Sequence, residues 1–320
     1  MNKLTNIQRV SQLMPPENGP IEKSWEITGE EAGDLVVVKF YEHPNEFSES
    51  DLESIPKLVQ EIRNKIKKGT VMIIFGNINA GNERYKTGDT NRIYGKPNKN
   101  LSDPEQARVE AIENILSKSK ICIDGHATRH PLQEGQEFSV IPSSHSSLDT
   151  FEIDINGITI SASTIGAKLG HPILVHENSS NKHHPYAQYS DEFTFRNGGI
   201  GITMEDGSIH DPNFQRNTKG IISVLEATGS IKTRTLHETC QQAVFQTSQD
   251  IIAEGDSFQL TKVFKNWEKI KKDTPVASYY DETEDRLIII RAQRDCYALF
   301  AREKSAIEYG QRAILLVTKY

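Results

Sequence analysis

Between residues 35 and 123 the chain alternates short β-branched runs with amphipathic helical stretches, strand–helix–strand–helix–strand. Leu35-Val36-Val37-Val38-Lys39-Phe40 reads as a buried strand, being short, β-branched and almost wholly apolar. Ser50 and Glu53 have capping-box spacing, Leu52, Ile55, Leu58, Val59, Ile62 and Ile66 follow at helical intervals, and Gly69 closes the segment. Val71 to Phe75 is the second buried strand. Ser102-Asp103-Pro104-Glu105 then opens another helix, Val109, Ile112, Ile115 and Leu116 form its apolar face, and Ile121-Cys122-Ile123 makes a third strand. This order predicts parallel strands with right-handed crossovers, the start of an α/β fold with helices flanking a sheet. Ligand sites in such sheets gather at the carboxyl ends of the strands, so the residues just beyond each run are the ones to read for chemistry.

Further along, Phe151 to Ile160 alternates around Asn156-Gly157, a two-residue hairpin signal. Ile173 to Val175 and Gly201 to Glu205 are two more expected strands. Asp211-Pro212 is expected to start a helix running through Phe214, Ile221, Val224 and Leu225 to Gly229, and a helical segment is expected to persist to Ile252. Short β-like runs follow: Phe258 to Leu260, Ala277 to Tyr280, Leu287 to Ala292, Tyr297 to Ala301 and Ala313 to Thr318. The expected organisation is an α/β domain over residues 1–235 and a smaller, mainly β domain over 236–320.

Of 320 residues, 36% are hydrophobic and 25% charged, the balance of a soluble globular protein. A net charge of −7 argues against a general nucleic-acid surface. No uninterrupted apolar run approaches the roughly 18 residues of a membrane span. Cys122, Cys240 and Cys296 are dispersed, form no thiolate metal motif and point to a reducing compartment. Met1 to Met14 is polar and lacks the apolar stretch of a signal peptide. The expectation is a cytoplasmic protein with neither nucleic acid nor membrane as partner, its oligomeric state left open.

His43-Pro44-Asn45-Glu46 follows the first strand and Asp124-Gly125-His126 the third. Alone, each fragment is better explained as a solvated loop or a hydrogen-bonded histidine. Together, His43, Glu46 and His126 make the two-histidine, one-carboxylate set of a hydrolytic zinc site, with the fourth position left for water. A general base is then needed. Glu205 in Thr203-Met204-Glu205-Asp206-Gly207 is the choice, with Asp206 and Glu226 as competitors; Asp206 otherwise reads as a turn residue and Glu226 as a surface one.

The run Arg84 to Arg92 follows the second strand. Arg84 is suited to the oxyanion of an attacked carbonyl, Asn91 and Arg92 to a substrate carboxylate, and Asp89 to orienting His43 or an arginine. Arg196 is a candidate second carboxylate clamp. Arg129 and His130 are expected to line the pocket, while His176, His183 and His184 read as solvent-facing or substrate-adjacent. These residues point to a zinc amidohydrolase of a small anionic substrate.

In this order the motifs resemble the succinylglutamate desuccinylase/aspartoacylase family, within the zinc carboxypeptidase-like fold. His43-Pro44-Asn45-Glu46 stands where the family has His-Gly-Asn-Glu, and Gly76-Asn77-Ile78-Asn79-Ala80 where it has Gly-Asn-Pro-x-Ala. Arg84-Tyr85 and Asp89-Thr90-Asn91-Arg92 keep the family's spacing, Asp124-Gly125-His126 is similar to Asp-Leu-His, and Glu205-Asp206-Gly207 to its catalytic Glu-x-Gly turn. Asp273-Thr274-Pro275-Val276-Ala277 and Gly310-Gln311-Arg312-Ala313 are similar to the β domain of the desuccinylase branch, and 131–195 is the least similar stretch.

The resemblance implies a Zn²⁺ ion on His43, Glu46 and His126, with Glu205 as base and Arg84 polarising the scissile carbonyl. It also implies Asn91 and Arg92 on a substrate carboxylate, and hydrolysis of an acidic N-acyl amino acid, N-succinylglutamate first and N-acetylaspartate second. Pro44, Asn79, Gly125 and Asp206 depart from the pattern. Two alternatives stay open: a peptide-cleaving carboxypeptidase, which the same zinc and carboxylate-binding groups would serve, and a zinc-stabilised binding protein without catalysis, which Pro44, Gly125 and Asp206 motivate.

Overall fold

A computed structural model of the protein describes residues 24–40, 42–75, 91, 93–95, 103–128, 137–143, 151–177, 189–232, 243–254, 257–265, 267–302, 307, 309 and 312–319. The first half begins with β1 (Ser24–Thr28), β2 (Glu31–Phe40), helix α1 (Asp51–Lys65) and β3 (Lys68–Phe75). Helix α2 (Asp103–Leu116), β4 (Ile121–Thr128), β5 (Glu137–Ser143) and the hairpin β6 (Glu152–Ile155) and β7 (Ile158–Ser161) come next. Then follow α3 (Ala162–Leu169), β8 (Ile173–Glu177), α4 (Ser190–Arg196), β9 (Ile200–Ser208) and α5 (Thr218–Ala227). The described chain beyond 243 is strands: β10 (Val244–Ile252), β11 (Gln259–Leu260), β12 (Glu268–Ile270), β13 (Pro275–Asp281), β14 (Arg286–Arg291), β15 (Cys296–Ala301) and β16 (Arg312–Lys319).

Eleven strands form one mixed sheet in the order β1-β3-β2-β4-β9-β5-β8-β10-β16-β15-β12. The repeating strand–helix pattern gives its parallel centre: β3, β2, β4 and β9 pair in parallel, as expected for strands joined by helical crossovers. Side chains alternate between the faces. Val36, Val38, Phe40, Ile121, Ile123, Ile200 and Ile202 pack with α1, α3 and α5 on one face. Val37, Ile74 and Cys122 pack with α2 on the other, where Phe193 of α4 joins them. A separate core of Ile251, Phe258, Leu260, Val276, Ile314 and Leu316 lies under the C-terminal strands, against the three-stranded sheet β11-β13-β14.

The hairpin turn is as the Asn-Gly pair dictates: Asn156 and Gly157 both have positive φ, 54° and 86°, so two residues reverse the chain. Several elements differ from the sequence expectation. Ser50 makes no side-chain cap; the Asp51 carboxylate reaches back to Ser48 instead, accepting from its N–H at 2.8 Å and its hydroxyl at 2.9 Å. Gly69 lies within β3 at φ 74°, while α1 has already ended at Lys65. The expected helix from Asp211 begins at Thr218, because Asp211 holds a turn through Asn213 and Asn217 caps the N–H of Gly220 at 2.8 Å. The segment read as helical to Ile252 is strand β10 from Val244, paired with both β8 and β16. No described helix is long and apolar enough to cross a membrane.

Candidate metal centre

β2 ends at Phe40, and the chain turns into a single 3₁₀ turn over Pro44–Glu46, closed by the Glu46 N–H donating to the His43 carbonyl at 2.9 Å. Side chains three apart eclipse in a 3₁₀ turn, so His43 and Glu46 are stacked toward one point. Pro44 opens that turn, where a fixed φ suits the geometry. The third member comes from β4. His126 lies inside the strand, not beyond its end as expected, and it is the paired neighbour of Glu205 in β9, which is also internal.

The three side chains converge and are buried: their ligating atoms all lie within 4.8 Å of one another. His43 Nδ1 is 2.9 Å from Glu46 Oε1, and His126 Nδ1 is 2.9 Å from Glu46 Oε2. On the far side of the His126 ring, Nε2 sits 3.3 Å from Asp124 Oδ2. That contact suits an Nε2–H donating to Asp124, so that Nδ1, on the Glu46 side, is the atom that could face a cation. Burial opposes a charged His126, yet Asp124 and Glu46 outweigh it and raise its pKa well above the ordinary value. The pocket therefore favours positive charge at this point. A divalent cation could supply that charge, and two imidazoles with one carboxylate are a fitting donor set for zinc.

Paired positions on neighbouring strands share a face, so Glu205 projects on the same side of the sheet as His126 and Asp124. Opposite Ala127, β9 carries one extra residue at Asp206-Gly207, a bulge made possible by φ 92° at Gly207. Asp206 is no turn residue: it is a strand residue facing the other side, where its carboxylate meets Arg216 at 3.2 Å. Burial pushes its pKa up to about 7, with Arg216 opposing and Asp51 adding to the rise.

Behind the ligands is a buried charged network. Lys39 donates to Glu42 at 2.8 Å, lies 3.1 Å from Asp124 and reaches the Tyr94 hydroxyl at 3.5 Å. The Tyr94 hydroxyl donates to Glu42 at 3.1 Å, and the Ser190 hydroxyl at the head of α4 donates to Asp124 at 2.5 Å. Burial opposes ionisation of Glu42, but Lys39 and Arg108 hold its carboxyl down at about 2. Asp124 is likewise kept ionised against burial by Lys39 and His126.

Of the other expected site residues, Asn91 is brought into the cluster, its amide 3.3 Å from His126 Nε2. Arg196 is not: it stands in the last turn of α4, half exposed, 3.4 Å from Glu192, at the opposite end from Ser190. Arg84, Asp89, Arg92, Arg129, His130, His183 and His184 lie outside the described residues, as does the side chain of His176. Glu42, Lys39, Tyr94, Asp51 and Arg216 were not anticipated. Only Lys39 left a mark in the sequence, as a lone charge in an apolar strand.

No protein-family model matches the chain, and no curated protein matches it by sequence. Solved structures do match over most of its length. An aspartoacylase family protein from Mesorhizobium loti shares 16% identity at TM-score 0.62, covering 96% of this chain and 93% of its own. A succinylglutamate desuccinylase from Silicibacter gives 14% identity and TM-score 0.66, with 93% and 88% covered. The fold is theirs. A product-bound ectoine utilization protein from Ruegeria pomeroyi shares it too, at 16% identity and TM-score 0.65 over 92% of this chain and 88% of that one. The desuccinylase/aspartoacylase fold thus extends through the C-terminal strands as well as the α/β part.

Proposed function

We propose that the protein belongs to the succinylglutamate desuccinylase/aspartoacylase family and hydrolyses the amide bond of an acidic N-acyl amino acid, with zinc as its cofactor. N-succinylglutamate is the first candidate substrate and N-acetylaspartate the second. The observation that carries this is the convergence of His43, Glu46 and His126 on the sheet face that also bears Glu205. The shared fold supports it at the level of architecture.

His43, Glu46 and His126 would hold the ion through Nδ1, a carboxylate and Nδ1. When bound, it supplies a Lewis acid that lowers the pKa of a water and polarises the carbonyl. The protein's own groups do the rest. Glu205 takes a proton from the attacking water and returns it to the departing amine. Asp124 fixes the tautomer and ring plane of His126. Asn91, and by resemblance Arg84 and Arg92, would orient the substrate and its carboxylate; Arg196 is kept only as a more distant contributor to that binding. The deep burial of the ligands limits access by bulk water.

Three of the departures from the family pattern, Pro44, Gly125 and Asp206, are accommodated by this chain, which weakens the non-catalytic alternative; Asn79 lies outside the described residues. Pro44 fits the 3₁₀ turn. Gly125 leaves space that the Phe40 ring occupies: a Cβ there would stand 2.7 Å from Phe40 Cδ1. Asp206 faces away from the base and is bound by Arg216. Amine release from N-succinylglutamate by zinc-loaded protein, beside a chelated control, tests the proposal. Glu205→Gln should lower turnover by about 10²–10⁴-fold while zinc stays bound. Undiminished activity would remove Glu205 from its role, and exclusive cleavage of peptides would turn the assignment to a carboxypeptidase.

A further inference from the structure

Arg216 lies in the irregular segment between β9 and α5, and its side chain is completely buried. A guanidinium has five N–H donors in a rigid plane. Here the hydrogen bonds run to five acceptors. Nε donates to Asp51 Oδ1 at 2.7 Å. One terminal nitrogen donates to Asp206 Oδ2 at 3.2 Å and to the His126 carbonyl at 3.4 Å. The other donates to Asp51 Oδ2 and to the Glu46 carbonyl, both at 3.4 Å. Its cationic carbon also sits over the Phe40 ring, 5.5 Å from the centroid.

Two of those acceptors are main-chain carbonyls of proposed metal ligands, and a third belongs to the residue beside the proposed base. Arg216 works from the α1/α5 face, behind the sheet, while the His126 side chain projects from the other. Asp51 anchors it in turn, since the same carboxylate ties Ser48 at the end of the Glu46 turn to the first residue of α1. With every donor engaged, the guanidinium is a fixed brace and not a substrate contact.

We propose, resting on the zinc reading above, that Arg216 is a positioning residue that sets the cation affinity of the triad. It does so by holding the backbones of Glu46 and His126, two ligands 80 residues apart in sequence, at one fixed separation. Lysine at this position would offer a point charge without the fork, so it would neutralise Asp51 and Asp206 but not reach both carbonyls at once.

The test is the zinc dissociation constant of the full-length protein, by competition with a chromogenic chelator, beside the melting temperature of the metal-free protein. Arg216→Gln should weaken zinc binding by about 10–100-fold, the range for groups that orient metal ligands. Arg216→Lys should recover stability more fully than affinity. Arg312→Gln is the control, because Arg312 makes a comparable two-point pair with Asp250 far along the sheet, and it should lower melting without moving zinc affinity. If Arg216→Gln does not fold, Asp51→Asn serves in its place: it keeps the arginine but loses one of its carboxylate acceptors, and should shift affinity in the same direction.

Zinc affinity within twofold of wild type in the deciding variant, with lowered melting, would overturn the inference and leave the zinc reading standing. A wild-type protein that takes up no zinc would overturn both.

Discussion

Lys39 carries a charge where its strand neighbours Val36, Val37 and Val38 carry none, and like them it is wholly buried. Its three ammonium hydrogens have three partners: Glu42, Asp124 and Tyr94. Replacing it with methionine keeps the volume but leaves two buried carboxylates without their shared cation. Breaking a buried pair in this way costs about 3–5 kcal/mol, so Lys39→Met should lower the urea midpoint by a corresponding amount. A loss below about 1 kcal/mol would mean that the network is not electrostatically tight.

Asp206 gives a prediction in pH. Its folded pKa, near 7, lies above the unfolded value of 3.8, so between those values the folded state binds more protons than the unfolded one. Its contribution is therefore greatest in acid and declines as pH rises through that window. The stability of Asp206→Asn relative to wild type should accordingly increase from pH 4 to pH 7, as read by denaturation at each pH. A flat difference would show that Asp206 stays ionised throughout. At this scale the sequence reveals the triad, because His-x-x-Glu and a second histidine stand beside strong strand signals. Arg216 is hidden because its partners lie 10 to 170 residues away, with no local pattern to betray them.

Among the elements, β2 and β4 show how a substitution next to a ligand is made good. Phe40 and Gly125 are paired neighbours, and the ring fills the space that a side chain on residue 125 would take. Gly125→Ala should therefore destabilise the protein by about 1–3 kcal/mol through overpacking. Thermal melting should show Phe40→Leu partly restoring that loss in the double variant; an additive loss would separate the two positions. Helices α1 and α2 and strands β2, β3, β4, β8 and β9 were legible because their apolar spacing is strong, whereas α3, α4 and β5 were not read from the sequence. β10 was not: of Gln246, Thr247, Ser248, Gln249 and Asp250 only Thr247 favours a strand, and pairing with β8 and β16 decides their conformation. The late start of α5 was hidden for a related reason, since both Asp211 and Asn217 are competent turn or cap residues, and Asn217 is the one held by non-local hydrogen bonds to Asp206, Leu169 and His171.

Over the whole molecule, the two tryptophans report on opposite ends of the eleven-stranded sheet. Trp25 in β1 packs edge-on against Phe75, and Trp267, just before β12, packs on Phe245 of β10. Between them the β8–β10 seam has three paired positions, yet β5, β8, β10 and β16 make a continuous hydrogen-bonded layer. Urea unfolding of Trp25→Phe and Trp267→Phe, each followed by the fluorescence of the remaining tryptophan, should give coincident midpoints. Separate midpoints would show the sheet parting at that seam.

The ends of that layer have a consequence for behaviour in crowded solution. Among the described residues, its outermost strands are β1, with five residues, and β12, with three, while the ten-residue β2 lies inside. Brief edges give another chain little main chain on which to template itself. The smaller sheet ends instead on six-residue β14, whose Leu287 and Ile289 face solvent. There an arginine stands at each end, Arg286 and Arg291, so that charge guards against self-association where shortness does not.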